Sequence, residues 1–271
     1  MPSGGHRHLK RLAAPTKWGL TKSIGKYAIR PLPGTHCKEL SIPMHYILTK
    51  FLKLAHTSKE VHYIIENGLV VVNHKRILNH KSVVGLFDVI SVLKSNEHYR
   101  LILGVNRKFK LQKVSSEEAK YRLSKVKSKG FDKIKLGEKE VEVPMTRTTC
   151  GYNFRLADPS IDLNNTVKID IVGNKLIESY KFEKGSIVFI YSGSNTGRVG
   201  TIKSMEKQPD GKTLIQLVDG NMKHFSTLMT SAMVIGKDEK TFITLDEEKG
   251  IKLTEYEKSN LKYETSQVAE E

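Results

Sequence analysis

The first 36 residues constrain the fold most strongly, because they contain no Asp or Glu. They carry seven Lys or Arg residues, and their few apolar residues follow neither a helical nor a strand period. A stretch of this composition does not bury a core of its own. We therefore expect residues 1–40 to form a basic N-terminal extension, with the folded domains beginning after it.

The extension admits two interpretations. A run of like charges is usually a solvated tail without a binding role. Trp18 and Tyr27, with short apolar groups at 12–14 and 28–29, argue against such a tail. We expect an arm that becomes ordered on RNA, with cations on phosphates and Trp18 stacked on or wedged between bases. The predicted RNA-binding residues of this arm are His6, Arg7, His8, Lys10, Arg11, Lys17, Trp18, Lys22, Lys26 and Arg30.

The whole chain is basic as well. Its 45 Lys and Arg residues against 29 Asp and Glu residues give a formal charge of +16. Such an excess costs stability through self-repulsion, so it indicates a polyanionic partner. Nucleic acid is favoured over an acidic membrane surface or an acidic protein.

Other classes of protein are disfavoured by the same sequence. No apolar run approaches the roughly 18 to 20 residues that span a bilayer, and the N-terminus lacks an apolar signal segment. The two cysteines, Cys37 and Cys150, are too few and too far apart for a disulfide framework or a Cys-x-x-Cys zinc site. We expect a reduced, cytosolic protein.

The pattern changes at residue 41 and predicts a helix-helix-hairpin unit over residues 41–105. Ser41 is a candidate N-cap for a helix with apolar positions between 47 and 55. A capping box at Thr57 and Glu60 opens a second helix, which Gly68 ends. Strands are predicted at 69–72 and 87–93. The cations expected on its RNA-binding face are Lys50, Lys53, Lys59, Lys75, Arg76 and Lys81.

Residues 106–178 predict a β-rich central domain with a basic edge. A short helix capped at 115–118 is expected to carry Ala119, Tyr121 and Leu123. Seven Lys or Arg residues lie between 120 and 135, with one acid among them. The RNA-binding candidates on this edge are Lys127 and Lys129.

Short strands punctuated by glycines follow over residues 179–236. The strand at 185–191 leads into Gly193, Gly197 and Gly200, after which the alternation of apolar residues resumes. This pattern is typical of a small five-stranded barrel of the SH3-like type. Arg198 and Lys203 are its candidate RNA-binding residues. The last part, 237–271, is a C-terminal segment, and the chain as a whole is predicted to be a multidomain α+β, mainly β protein.

Several segments resemble one protein family. The string from His8 to Pro15, followed by Trp18, is similar to the N-terminal signature of the S4e family, which comprises archaeal and eukaryotic ribosomal proteins of the small subunit. The segments 57–92, 117–121, 185–203, 234–237 and 250–254 resemble other blocks of that family, so the resemblance covers nearly the whole chain. It departs from the family around Cys150 and Tyr152, and at Asn165, where charged residues are usual.

The resemblance implies a fold and a function. It implies an S4-like RNA-binding domain at 57–92, and a KOW motif at 185–203 with Gly200 on a tight turn facing RNA. It also implies a structural constituent of the small ribosomal subunit, which binds rRNA and stabilises its fold during translation. The implied partners are small-subunit rRNA and neighbouring small-subunit proteins, without a membrane or a small-molecule substrate. The implied location is the cytoplasmic ribosome, with nuclear or nucleolar transit during assembly in a eukaryote.

An enzyme is the alternative from another class. The glycines at 193–198 lack the Gly-Lys-Ser/Thr of a phosphate-binding loop, so they indicate a turn. An RNA-modifying enzyme of the pseudouridine synthase type would need a Gly-Arg-Leu-Asp string, and Arg155-Leu156-Ala157-Asp158 does not match it. His6 and His8 alone make a weak metal site. We predict no catalytic residues, no metal and no cofactor; a free-standing translation-regulating factor remains a further alternative.

Overall fold

The computed structural model describes residues 7–136, 139–237, 240–246 and 250–268. Antiparallel strands in five sheets are the main regular structure of these residues, with few helices between them. The predicted mainly β character is therefore confirmed. Of the helices in these ranges, none combines the length and apolar composition that a bilayer crossing needs.

The N-terminal extension is folded. Strand β1 (Leu9–Lys10) pairs antiparallel with β2 (Tyr27–Ala28), and 3-10 turns at Arg11–Ala13 and Thr16–Trp18 lie between them. Leu9, Trp18 and Ala28 are buried within the largest apolar core of the molecule. The prediction of an arm that orders only on RNA is wrong, because these three residues anchor the extension to the next unit.

The second unit supplies most of that core. It contains β3 (Ser41–Pro43), α1 (Met44–Tyr46), which continues as a π-helix (Ile47–Phe51), α2 (Ser58–Glu66), β4 (Val70–Val72), β5 (Lys75–Arg76), β6 (Val83–Gly85), β7 (Val89–Val92), β8 (Glu97–Leu103) and β9 (Phe109–Val114). Strands β3 and β6 form one sheet, and the others form a sheet in the order β5-β4-β7-β8-β9. Since β9 pairs with β8, this sheet extends beyond the boundary predicted at residue 105.

The two helices of this unit differ in how well local patterns predicted them. The capping box of Thr57 and Glu60 at the start of α2 is confirmed, and Gly68 follows the helix with a φ of 64°. The first helix does not begin at Ser41, whose hydroxyl donates to the Cys37 carbonyl at 2.8 Å instead of capping a helix. Ser41 lies in β3, and the helix begins only after Pro43.

The central unit is a five-stranded sheet. Its strands are β10 (Tyr121–Leu136), β11 (Lys139–Thr148), β12 (Asn153–Arg155), β13 (Thr166–Asp170) and β14 (Leu176–Tyr180), in the order β12-β11-β10-β13-β14. The helix predicted to carry Tyr121 and Leu123 is absent; only a 3-10 turn, Glu118–Lys120, precedes β10. Tyr121 and Leu123 instead pair with β13, which lies about 45 residues later in the chain.

The last unit is a six-stranded sheet. Its strands are β15 (Ile187–Ile190), β16 (Val199–Lys207), β17 (Thr213–Val218), β18 (His224–Leu228), β19 (Ala232–Lys237) and β20 (Lys240–Thr241), in the order β18-β17-β16-β15-β19-β20. Its core holds Val188, Ile190, Ile202, Ile215 and Leu217. Helix α3 (Glu255–Val268) ends the described chain, with Thr254 and Glu257 hydrogen-bonded to each other at its start.

A buried carboxylate joins three of these units. Asp88 pairs with the Arg122 guanidinium of β10 and accepts hydrogen bonds from the Asn73 side chain at 2.8 Å and the Gly85 N–H at 2.6 Å. The His36 imidazole of the extension lies 3.4 Å from the same carboxylate. Burial alone would raise the pKa of Asp88, but the Arg122 charge and these hydrogen bonds outweigh it and hold that pKa well below its usual range.

Candidate nucleic-acid interface

An open cleft of about 910 Å³ lies between the extension and the second unit. The extension supplies Arg7, Arg30 and Lys38 to its lining, and the loop before β6 supplies Lys81. All four cationic side chains belong to exposed residues, and the lining contains no carboxylate. The complete lining is Arg7, His8, Leu9, Arg30, Pro31, Leu32, Pro33, Gly34, His36, Lys38, Ser41, Lys81 and Val83.

Backbone contacts hold the two walls of this cleft together. The N–H of Leu32 donates to the Lys81 carbonyl at 3.1 Å, which fixes the extension against the loop that carries Lys81. A Cβ on Gly34 would lie 2.4 Å from a methyl carbon of Val83, so this close approach requires glycine. The basic side chains are therefore presented by a preformed backbone and not by a loose tail.

The chemistry of the cleft suits phosphates. Four permanent cations face one cleft, and no ion pair found among the described residues involves any of them. Lysine and arginine side chains that keep their charge free in this way neutralise phosphates and release condensed counterions. The cleft therefore has the charge and the open shape that anion binding favours.

Trp18 does not belong to this surface. Its side chain is fully buried, its indole N–H donates to the Ser41 carbonyl at 2.7 Å, and its ring lies 5.7 Å from that of Tyr46. The prediction that Trp18 stacks on RNA is wrong. The indole fills the core between the extension and α1, and its single donor is already satisfied.

Other predicted RNA contacts bond within the protein. Lys17 donates to the Tyr191 carbonyl at 3.3 Å and Lys50 to the Trp18 carbonyl at 3.0 Å; burial lowers the pKa of both ammonium groups. Arg11 donates to the Thr21 carbonyl at 3.2 Å. Arg76 donates to the Glu66 carbonyl next to the end of α2. These groups fix the position of the backbone around them.

The prediction that Arg198 binds RNA is also wrong. It is buried, donates to the Asp219 carboxylate at 2.9 Å, and lies 3.7 Å above the Phe225 ring. A buried, paired guanidinium of this kind does not reach an external phosphate. No local pattern indicates its partner, because Asp219 lies 21 residues away on the far side of β16 and β17.

The remaining predicted cations are spread over the surface. The cleft brings together Arg7, His8, Arg30 and Lys81 of the predicted set, and adds His36 and Lys38, which sequence reasoning missed. No local signal connects Lys38 to Lys81, because they meet only through the fold. His6 lies outside the described residues. The exposed cations that lie elsewhere are Lys10, Lys22, Lys26, Lys53, Lys59, Lys75, Lys127, Lys129 and Lys203.

Comparisons with known proteins identify the family of the chain. A model of the Ribosomal family S4e matches residues 95–176, one of the RS4NT (NUC023) domain matches 3–39, and one of the 40S ribosomal protein S4 C-terminus matches 219–266. Small ribosomal subunit protein eS4 of Spodoptera frugiperda is 38% identical over 254 residues, which are 94% of each chain. The chain belongs to the S4e family of ribosomal proteins.

Other S4e relatives support the same conclusion. eS4 of Candida albicans is 39% identical over 255 residues, covering 94% of this chain and 95% of that protein. The crystal structure of the 30S ribosomal protein S4e from Thermoplasma acidophilum superposes with a TM-score of 0.62 at 28% identity, covering 76% of this chain and all of that one. The S4e family consists of ribosomal structural proteins, so the predicted ribosomal, non-enzymatic role is confirmed.

The glycine turn that the S4e resemblance placed against RNA lies against protein. Gly200 is buried in β16, where a Cβ would lie 2.9 Å from the Val218 carbonyl oxygen. Gly197 has a φ of 87°, and a Cβ there would lie 2.1 Å from the Gly104 carbonyl oxygen. Arg107 donates to the Ser194 carbonyl at 2.7 Å across the same contact. The turn at 193–197 thus packs the last unit against the turn between β8 and β9.

The three positions expected to depart from the S4e family, Cys150, Tyr152 and Asn165, contact other residues of the protein. The Arg122 guanidinium lies 5.6 Å from the centre of the Tyr152 ring, and Cys150 is buried with its sulfur 3.2 Å from the Thr148 hydroxyl. The side-chain oxygen of Asn165 accepts from the Phe182 N–H at 3.3 Å. Cys150 and Tyr152 pack in the core of the central sheet. Cys150, Tyr152 and Asn165 are not among the residues that line the basic cleft.

Proposed function

We propose that this S4e protein is a structural constituent of the small ribosomal subunit that grips rRNA through the cleft between its extension and its second unit. The observation that carries the proposal is the lining itself, in which four exposed cations meet without a carboxylate. Phosphate contacts of this kind give affinity with little dependence on base sequence. Selectivity then comes from the shape of the folded RNA.

The exposed cations outside the cleft provide further contacts to RNA. They lie on the extension, on the second unit, on the central sheet and on β16, so separate RNA helices contact separate parts of one chain. Linked contacts raise each other's effective concentration, so sites that are weak singly hold strongly together. Neighbouring small-subunit proteins are the second class of partner, and the proposed location is the cytosolic ribosome, with nuclear transit during assembly.

Sedimentation tests the ribosomal assignment directly. A cell lysate is fractionated on a sucrose gradient, with and without a high-salt wash, and the fractions are probed for the protein. We expect co-migration with the small subunit that survives the wash. Migration with the light fractions, or loss at moderate salt, would contradict an integral ribosomal role and favour a free-standing factor.

The cleft itself is tested by removing its charges. In the full chain, Arg30→Gln, Lys38→Gln and Lys81→Gln together are expected to weaken binding to small-subunit rRNA by about tenfold or more and to reduce the salt slope by about 2. Filter binding over a range of salt concentrations measures both quantities. The matched control removes three exposed lysines of the last unit, Lys184, Lys207 and Lys212.

The two triple variants lose the same charge, so their comparison separates position from net charge. We expect the control to change rRNA affinity much less than the cleft variant. Equal losses in both would show that only total charge matters, and would contradict a localised grip at the cleft.

A further inference from the structure

The extension exposes an aromatic ring beside the cleft. Tyr27, on β2, is 49% exposed, whereas Trp18 is fully buried. These are the extension's Trp and Tyr residues. The fold therefore buries the aromatic residue that the sequence favoured for RNA and presents the other one to solvent.

Cations surround the Tyr27 ring. The β1–β2 register places Lys10 opposite Tyr27, with the Lys10 ammonium 4.3 Å from the ring centre and 3.2 Å from the phenol oxygen. The Lys26 ammonium lies 5.9 Å from the same centre. Among the described residues of the extension up to His36 there is no carboxylate to offset these charges.

A second ring connects this patch to the cleft. The His8 imidazole lies 5.3 Å from the Tyr27 ring, centre to centre, at an angle of 46°. His8 also lines the cleft together with Arg7. One continuous surface thus carries two rings at one end and phosphate-binding cations at the other.

We propose that Tyr27, with His8 beside it, is a base-stacking platform for an unpaired rRNA nucleotide whose neighbouring phosphates lie in the cleft. Base-aromatic stacking is indifferent to base identity, and flanking cations take the phosphates that a splayed-out base brings with it. A hydrophobic protein segment is disfavoured as the occupant, since ammonium groups surround the ring. This inference rests on the proposed function, because it names the RNA feature bound at the same surface.

The test compares RNA with and without bases. The full chain is titrated against two fluorescein-labelled single strands of about 12 nucleotides, one of oligoadenylate and one of the same abasic ribose-phosphate chain. Their charges are equal, so phosphate contacts alone bind both equally. Fluorescence anisotropy then measures the advantage that the bases confer.

The variants isolate the ring of Tyr27. Tyr27→Ala and Tyr27→Leu are expected to lower the affinity for oligoadenylate by about 5- to 100-fold and to leave the affinity for the abasic strand unchanged. Tyr27→Phe keeps the ring and is expected to bind oligoadenylate like the unsubstituted chain. The emission of buried Trp18, the single tryptophan, confirms that each variant is folded.

The outcomes separate this inference from the proposed function. If the unsubstituted chain binds neither strand, the sequence-independent phosphate binding of the proposed function fails as well. If it binds both, and Tyr27→Ala changes neither affinity or lowers both equally, the stacking platform alone is overturned. Tyr27-dependent binding of polyglutamate as tight as that of RNA would also overturn it, in favour of an acidic protein partner.

Discussion

Asp88→Asn is expected to lower the free energy of unfolding by about 3 to 5 kcal/mol, because it leaves the buried Arg122 guanidinium without its counter-charge. Both side chains are almost completely removed from solvent, so water cannot replace the lost pairing. The same substitution weakens the contact between His36 of the extension and residue 88, and the hydrogen bond that Asp88 accepts from the Gly85 N–H at the end of β6. Urea denaturation followed by Trp18 fluorescence measures the loss.

An exposed ion pair provides the matched control. Lys113 and Glu97 lie 2.6 Å apart, but the lysine is 65% exposed and the glutamate 33%. Glu97→Gln is therefore expected to lower the free energy of unfolding far less than Asp88→Asn does. An equal decrease in the free energy of unfolding for the two variants would show that burial of the Asp88–Arg122 pair adds nothing to its effect on stability.

The pH dependence has a defined sign. Because the pKa of Asp88 is lowered in the folded state, the unfolded chain binds the proton more readily. The stability from this carboxylate is complete above the unfolded-state pKa of about 3.9, and it is lost as the pH falls from there toward the folded pKa. Asp88→Asn is expected to flatten the acid limb of the stability curve; an unchanged acid limb would contradict this.

Gly197→Ala is expected to destabilise the chain by about 2 to 5 kcal/mol, for two reasons that add. Its φ of 87° strains any residue with a side chain, and the new methyl group would lie 2.1 Å from the Gly104 carbonyl oxygen. That oxygen belongs to backbone, so relief requires separation of the last unit from the β8–β9 turn. Thermal or urea denaturation measures the total cost.

The same turn supplies a control that removes only the steric contact. Gly193 has a φ of 90°, and a Cβ added there would meet no atom within 4 Å. Gly193→Ala therefore keeps the backbone strain and lacks the collision, so a loss of about 1 kcal/mol is expected. Equal losses at the two glycines would contradict close docking of this turn on Gly104.

Local signals in the sequence predicted local structure well. The capping box of Thr57 and Glu60 depends on residues three positions apart, so its pattern is visible without the fold. The cap at 115–118 predicts a helix that includes Leu123, but Leu123 pairs with Lys168 of β13, which is distant in the chain and leaves no local signal. Strand pairing overrode the helical spacing there.

In the candidate site, too, composition predicts some features, whereas features that depend on contacts between distant residues are missed. The positive charge of the extension and its lack of acids predict an RNA-binding segment, because both are properties of composition. Composition offered no means of distinguishing the buried Trp18 from the exposed Tyr27, because the burial of Trp18 depends on Ser41 and Tyr46. The prediction that Arg198 binds RNA is wrong for the same reason, because its partner Asp219 lies just after β17 and is distant in the sequence.

The anchors of the extension have a consequence for how the protein is made. Synthesis proceeds from the N-terminus, so residues 7–36 leave the ribosomal tunnel before any of their partners. Trp18 can contact Ser41 and Tyr46 only after those two residues have been synthesised. In the same way, the contact of His36 requires Asp88, and the hydrogen bond of Lys17 requires Tyr191. The extension is therefore a polycation without its anchors when it first emerges. It becomes a wall of the cleft only after the second unit has emerged through Asp88.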